Sequence, residues 1–204
     1  GFWMGRGHLR DVFRKAFYDD SEVDDSSEIM SYRAAVFGLI GGGGYLAFWH
    51  FQTGMELKFI PLFMFGVLVT YLGQTRLIAE AGLISLRAAL NPQPFASILL
   101  GTEALTQRTM VSISLSHSWS SDIKTTIMPA LAHATKMFDT IQTNRRRLLW
   151  VLILAMGAGI MATFVYTIYM GYANGAANYG GIFTGELARW PWDDLVKKSK
   201  EPWG

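Results

Sequence analysis

Ionisable residues interrupt the apolar stretches of this sequence at only a few points, and chemistry could be done at those points. Arg76 and Glu80 stand four residues apart at the end of an apolar run. On a helix this spacing puts both side chains on one face, where they can pair. Ionisable groups at membrane depth are costly and commonly mark solute or proton pathways. A structural pair near the membrane surface is the alternative interpretation.

Three more residues are candidates on weaker grounds. Glu103 and His117 occur in a mixed polar segment, and His117 lies within a hydroxyl-rich run from Ser112 to Ser121. Both could belong to the same pathway, although a hydrogen-bonded loop histidine would also explain His117. His50 is flanked by aromatic residues and could ligate haem iron or chlorophyll magnesium. A hydrogen-bonded residue at a helix end is the alternative for His50.

Several classes of chemistry lack the residues that they need. The sequence contains no cysteine, which excludes disulfides, thiolate catalysis and iron–sulfur clusters. It contains no metal-binding motif, phosphate-binding loop or nucleophile elbow. A net charge of +2 with no basic stripe does not indicate a nucleic-acid partner. We therefore predict that the chain is not an enzyme and binds no metal, cofactor or nucleic acid.

The elements that must position these residues are predicted to be membrane helices. The chain is 50% hydrophobic and 17% charged, whereas soluble domains average about 25% charged residues. The charges cluster at 6–33, 76–147 and 186–200, and long apolar runs separate them. The pattern predicts an all-α integral membrane protein, with about three transmembrane helices and further interfacial or re-entrant helices.

The composition shifts divide the chain into five segments. The predicted order is an interfacial helix and acidic loop (1–30), a transmembrane hairpin (31–81), a re-entrant and amphipathic segment (82–147), a third transmembrane helix (148–173), and a glycine-rich loop with a Trp/Lys tail (174–204). An apolar stripe from Ile123 to Ile141 has helical spacing. Gly38, Gly42 and Gly43 predict close packing against another membrane helix.

The distribution of Lys and Arg predicts the orientation. Residues 1–33 and 82–147 hold most of the basic side chains, including a triple Arg beside the third apolar run. Both segments are therefore expected on the cytoplasmic side of a bacterial inner membrane. The basic tail would then lie on the opposite side, against the rule, unless residues 95–120 add another crossing.

Three stretches carry a resemblance to a known family. GRGHLRDVFRKAF, DDSSEIMSYRAAVFGLI and GQTRLIAEAGL resemble the C-terminal part of an uncharacterised family of large polytopic bacterial membrane proteins, which is distantly similar to oligopeptide transporters. The closest correspondence lies at Ser31-Tyr32-Arg33 and from Arg76 to Gly82. The resemblance implies more than ten helices in a full protein, of which this chain would be a fragment.

Two functional hypotheses follow, with a third behind them. The first is a membrane-embedded segment of a secondary transporter for an oligopeptide-like solute of unknown identity, which matches the interrupted segment and the ionisable residues. The second is a structural or accessory subunit of a large membrane complex, associated with a pigment or cofactor at His50. An intramembrane enzyme has only isolated polar residues in its favour. In each case the expected partners are the lipid bilayer and other transmembrane helices.

Overall fold

The computed structural model describes residues 5–82, 91–120, 127–138, 145–178 and 185–202. Within these ranges the chain is helical and contains no strand, which confirms the all-α prediction for the described part. The helices are α1 (Arg6–Tyr18), α2 (Tyr32–Gln52), α3 (Ile60–Ala81), α4 (Pro92–Leu100), α5 (Gln107–Ser120), α6 (Ile127–Phe138), α7 (Arg145–Asn174) and α8 (Glu186–Lys200), with a 3₁₀ turn at Ala176–Asn178 between the last two.

Helices α2, α3 and α7 are long and apolar enough to cross a membrane. They have 21, 22 and 30 residues, and at about 1.5 Å per residue each covers the roughly 30 Å of a hydrocarbon core. Most residues of α2 and α7 are exposed on the outside of the chain. Their large apolar side chains therefore face away from the rest of the described chain.

The sequence sets where these helices begin and end. Ser31 has extended backbone angles, and its hydroxyl accepts a hydrogen bond from the N–H of Ala34, so it caps α2. Pro61 stands in the first turn of α3, where its missing N–H costs nothing. Gly82 ends α3 with a φ of 67°, a left-handed conformation that suits glycine, and its N–H bonds to the carbonyl of Ile78.

Helices α4 and α5 form a short hairpin against α3. Phe95 of α4 lies against Gly66. The N–H of Glu56, in the turn between α2 and α3, donates to Thr109 near the start of α5, while Tyr71, half-way along α3, donates to the carbonyl of Trp119 near the end of α5. The hairpin therefore reaches from the α2–α3 turn only to the middle of α3.

The apolar core lies where the hairpin meets the α2–α3 turn. Its buried members come from α3, the two turns and the hairpin: Met55, Phe59, Ile60, Phe63, Val67, Ala96, Leu105 and Ile113. Because this core fixes the hairpin against α3, it also fixes the polar side chains that the hairpin carries.

The remaining helices attach at the two ends of this unit. Asp25, which precedes α2, lies 3.8 Å from Arg146 at the start of α7. At the same end α6 packs on α3, and Lys136 donates to the carbonyl of Ala79. The predicted stripe through α6 includes Ile123 and Ile141, which lie outside the described residues.

No secondary structure is assigned to the C-terminal Trp/Lys tail from the sequence, and its described part forms helix α8. Helix α8 packs on α5, where Ser114 donates to the carbonyl of Pro191. Helix α1 packs on α2, with Ala16 buried and the rings of Phe17 and Phe37 5.7 Å apart. Phe17 is still half exposed, which is also consistent with an interfacial position for α1.

Candidate functional site

Polar side chains fill the space between α2, α4 and α5, and we call this group the polar cluster. Its members are His50, Thr53, Gln93, Thr109, Ser112, Ser116 and Ser120. Five of them, His50, Thr109, Ser112, Ser116 and Ser120, have no exposed surface, and Gln93 is 2% exposed. Buried polar groups need hydrogen-bond partners, so the bonds within the cluster determine what it can do.

The first part of the cluster joins the end of α2 to α5. The hydroxyl of Thr53 donates to the carbonyl of His50, and its oxygen lies 2.6 Å from Oγ of Ser112. Since a carbonyl cannot donate, the Ser112 proton must go to Thr53. Ser112 then accepts from Nδ1 of His50, 3.3 Å away. The imidazole is therefore protonated on Nδ1, and Nε2 carries the lone pair.

The second part of the cluster joins the start of α4 to the end of α5. Nε2 of Gln93 donates to Oγ of Ser116 at 3.2 Å and to Oγ of Ser120 at 2.6 Å. Each serine passes its own proton to a carbonyl of α5, Ser116 to Ile113 and Ser120 to Ser116. Both amide protons of Gln93 are thus used, and its Oε1 has no partner among the described residues.

At the α2–α3 turn the cluster meets a charged pair. Glu56 lies 2.8 Å from Lys58, and its N–H donates to Thr109. The hydrogen bond from Lys58, together with one from Thr106, holds the pKa of the Glu56 carboxyl below its ordinary value. This end of the hairpin opens on a groove of about 660 Å³ lined by Met55, Glu56, Thr106 and Arg108 among others.

Three buried polar atoms on these elements lack a hydrogen-bond partner in the described part of the chain. They are Nε2 of His50, Oε1 of Gln93 and Nε1 of Trp119. The first two can accept and the third can donate. A fourth atom, Nε2 of His117 on α5, also lacks a partner but lies on the side of α5 that contacts α8. An unsatisfied buried polar group costs about 1–3 kcal/mol, so a water molecule or solute that reached these atoms would gain bonds that the described chain does not supply.

The structure separates the ionisable residues predicted as a pathway. Arg76 and Glu80 form the predicted pair at 2.6 Å, at the opposite end of α3 from the α2–α3 turn. Their side chains are 50% and 63% exposed, so the described residues do not enclose the pair as expected. Glu103 is exposed at the tip of the hairpin. None of the three belongs to the polar cluster.

His117 lies on α5 but faces away from the cluster. Its ring contacts Trp190 of α8 edge-on, with the centroids 5.1 Å apart. Its Nδ1 is 3.2 Å from the carbonyl of Ile113 and 3.3 Å from that of Ser114, so Nδ1 carries the proton. In this position His117 helps to seat α8 on α5.

The glycine face of α2 has no neighbour in the described structure. A methyl group placed on Gly38, Gly42 or Gly43 would meet no atom within 4 Å. The close helix contact predicted for these residues therefore remains a prediction about helices outside the described part of the chain.

His50 has the position of a hydrogen-bonded helix-end residue. The rings of Trp49, Phe63 and Trp119 surround it, with centroids 4.9, 4.9 and 5.8 Å away. The side chain is fully buried, so a haem or chlorophyll could reach Nε2 only if these rings moved. Among the described residues no three His, Asp or Glu side chains are grouped as a metal site would need.

A family model described as "Family of unknown function (DUF6785)" matches residues 1–203. The chain belongs to this family. No curated protein and no solved structure matches the chain. The description gives neither an activity nor a substrate, so the function of this family member has to be argued from its own residues.

Seven residues of this family member that matter to the site were not among the sequence candidates: Thr53, Gln93, Thr109, Ser112, Ser116, Trp119 and Ser120. Gln93 stands between two prolines at the start of α4, and Ser112 opens a run in which serine recurs at every second position. Polar side chains next to helix breaks in an apolar chain could have marked these residues as candidates for a buried polar site. Their pairing with His50, 62 residues before Ser112, had no signal in the local pattern.

Proposed function

We propose that the chain lies in a lipid bilayer as part of a secondary transporter, with the polar cluster on the path of a small solute. The observation that carries this proposal is the depth of the hairpin. The start of α4 and the end of α5 lie level with Tyr71, half-way along α3. Transporters bind their solutes near the bilayer midplane, beside helices that are interrupted there.

The composition of the hairpin supports a binding role over simple packing. Membrane helices can pack through small and apolar side chains alone. Here α5 instead buries Thr109, Ser112, Ser116 and Ser120, and burying each hydroxyl costs free energy until a partner is found. Polar side chains at membrane depth are typical of positions that serve a solute or an ion.

The unsatisfied atoms suggest the class of solute. His50 Nε2 and Gln93 Oε1 lack donors, and Trp119 Nε1 lacks an acceptor, within the described chain. A short peptide offers N–H donors and carbonyl acceptors together. This agrees with the resemblance to oligopeptide transporters and makes a small peptide the solute of choice.

Basic residues support an orientation for the proposed bilayer placement. The contact between Asp25 and Arg146 puts the segment before α2 and the start of α7 at one end of the bundle. Three more arginines lie at this end of the bundle: Arg33 at the start of α2, Arg76 near the end of α3 and Arg147 at the start of α7. Under the positive-inside rule this end faces the cytoplasm, and the inner membrane of a bacterium is the proposed location.

Uptake by the purified protein in liposomes tests the proposal. Radiolabelled di-, tri- and tetrapeptides should enter in a saturable manner. Gln93→Leu should lower the uptake at least about tenfold, the effect expected from losing hydrogen bonds worth about 1.4 kcal/mol. Thr163→Val is the matched control, because Thr163 is exposed on α7 and bonds only to Gly159 of its own helix in the described chain.

The outcomes are distinct when the stability of both variants is measured alongside uptake. Equal uptake by the parent and by a correctly folded Gln93→Leu protein would contradict the proposed path. Absence of saturable uptake for peptides, amino acids and organic ions in the parent would contradict transport itself. Saturable uptake of amino acids or organic ions alone would contradict the proposed solute class.

A structural subunit of a membrane complex is the second candidate, and the uncovered helices favour it. A methyl group on the glycine face of α2 would meet no atom of the described chain within 4 Å, and nearly all residues of α7 whose exposure is described are exposed. Such faces suit protein neighbours as well as lipid. Purification of the protein from its native membrane as a stoichiometric complex, together with inactivity in the uptake assay, would favour this candidate over transport.

A further inference from the structure

An open groove of about 630 Å³ runs between α1 and α3, at the end of the bundle opposite the hairpin tip. One wall is formed by Gly5, His8 and Leu9, and the other by one face of α3 between Val69 and Ala79. The groove is separate from the polar cluster, which contacts the other end and the middle of α3.

The lining of this groove changes character along its length. Towards the middle of α3 it consists of Val69, Leu72 and Gly73, which present no polar side chain. One turn further the lining includes Thr75 and Arg76. At about 1.5 Å per residue, the step from Val69 to Arg76 covers about 10 Å. An occupant must therefore have an apolar part directed inward and a polar part at the end of the bundle.

Cationic groups gather at the polar end of the groove. Nε of Arg76 donates to Glu80 at 2.6 Å, which leaves the terminal N–H groups of the guanidinium to bind an acceptor. Lys136 donates to the carbonyl of Ala79, a lining residue, at 2.6 Å. His8 adds an imidazole to the lining. Carboxylates lie on both sides of this end: Glu80 pairs with Arg76, and Glu28 accepts a hydrogen bond from Tyr32, whose ring contacts His8. An anionic group of the occupant is therefore expected beside Arg76, on the α3 side of the groove.

An unsatisfied hydroxyl also lies at the polar end. Oγ1 of Thr75 is buried and has no hydrogen-bond partner among the described residues. Because this oxygen is buried, a phosphate in the groove would accept from the guanidinium of Arg76. Helix α1 itself has Leu and Phe residues opposite Arg and Lys, which is typical of a helix that lies on anionic headgroups.

We propose that this groove binds an anionic phospholipid, with one acyl chain along Leu72 and Gly73 and the phosphate at Arg76. Basic pockets between membrane helices on the cytoplasmic side bind acidic headgroups in this way. The inference rests on the bilayer placement proposed above and is independent of transport. It gives the Arg76–Glu80 pair a role in lipid binding, because Glu80 partly neutralises the guanidinium that would hold the phosphate.

Native mass spectrometry of the protein in neutral detergent tests the site, with phosphatidylglycerol and phosphatidylcholine of identical acyl chains as probes. The protein should retain phosphatidylglycerol in preference. Arg76→Gln should lower its retention at least about tenfold, the effect of losing a charge-assisted hydrogen bond worth about 1.5–3 kcal/mol. Arg33→Gln is the matched control, because Arg33 is a cation at the same end of the bundle that does not line the groove.

Two further variants separate the acyl chain from the phosphate and guard against misfolding. Gly73→Leu places a bulky side chain at a lining position where the added Cβ meets no atom within 4 Å, and it should lower lipid retention. Gly171→Leu on α7 is its control, because it too meets no atom. Glu80→Gln keeps Arg76 and removes the carboxylate that partly neutralises it, so it should raise retention even if Arg76→Gln fails to fold.

Three results would overturn the proposal. The first is equal retention of the two lipids by the parent protein. The second is Gly73→Leu binding lipid as well as Gly171→Leu, which would show that no acyl chain occupies the groove. The third is displacement of the lipid by millimolar inorganic phosphate, which would identify a site for a soluble anion. A failure of the uptake assay would leave all three measurements unaffected.

Discussion

The packing of the α4–α5 hairpin on α3 can be tested at a single glycine. Gly66 is buried, and a methyl group at this position would stand 2.7 Å from Cδ1 and 3.3 Å from Cε1 of Phe95. Gly66→Ala therefore forces α4 away from α3 or turns the ring. Overpacking of this kind costs about 1–3 kcal/mol, while replacing glycine by alanine within a helix returns about 0.5–1 kcal/mol.

Gly73→Ala is the matched control, because it makes the same change on the same helix about two turns further on. There a methyl group meets no atom within 4 Å. Both variants gain the same helix propensity, so the difference between their free energies of unfolding measures the clash alone. We expect Gly66→Ala to be about 1–3 kcal/mol less stable than Gly73→Ala, a factor of about 5–150 in the unfolding equilibrium.

Reversible unfolding in mixed detergent and SDS micelles measures this difference, and a second substitution makes the test specific. Phe95→Leu should remove part of the clash and restore stability in the Gly66→Ala protein, whereas it should cost stability in the parent. If the two alanine variants unfold alike, and Phe95→Leu costs the same in both backgrounds, α4 does not lie on α3 at this level and our placement of the hairpin is wrong.

Three further predictions concern single features. Arg76→Leu and Glu80→Leu should show a coupling of only about 0.5 kcal/mol in a thermal-stability cycle, because both side chains are at least half exposed; a coupling above about 2 kcal/mol would show that the pair is buried. Gly42→Leu should weaken assembly with neighbouring helices, measured by size-exclusion chromatography of the protein extracted from its membrane; an unchanged profile would contradict packing on this face. The pKa of Glu56 lies below its ordinary 4.5 because of the hydrogen bond from Lys58, so the unfolded chain binds more protons and the stabilisation present above pH 4.5 is lost as the pH falls. Glu56→Gln should therefore flatten the loss of stability on acidification, and an unchanged pH profile would contradict this assignment.

Local sequence patterns were sufficient to predict the features that depend only on residues close together in the chain. The long uncharged runs predicted three apolar helices, and the structure has α2, α3 and α7 there. Ser31 caps α2, and Arg76 pairs with Glu80, because both interactions span only three or four residues. The exposure of that pair depends on what lies beside α3, which no local pattern contains.

Contacts between distant segments could not be predicted in the same way. Serine at every second position of α5 does not follow the helical period, so the run gave no sign of which side chains would face α2. The pairing of Ser112 with Thr53 depends on a hairpin whose position is set by the fit of Phe95 to Gly66.

Helix α8 is a different case, because its signal was present in the sequence. The less exposed side chains, among those whose exposure is described, recur at helical spacing: Ala188, Pro191, Asp194, Leu195 and Lys198. The tryptophans and lysines of this segment indicated only a membrane-interface tail. Pro191 lies inside the helix, and its carbonyl accepts a hydrogen bond from Ser114.

The hairpin of α4 and α5 has its tip at the end of the bundle opposite residues 19–31 and reaches only half-way along α3. The chain has no native cysteine, so single cysteines in place of Ser26 and Glu103 can be labelled with a membrane-impermeant maleimide in oriented vesicles. Both positions are exposed, Ser26 before α2 and Glu103 at the hairpin tip. We predict that the two cysteines react from opposite faces of the membrane. Reaction of both from the same face would contradict this placement of the hairpin and would agree instead with the sequence-based expectation that residues 1–33 and 82–147 share the cytoplasmic side.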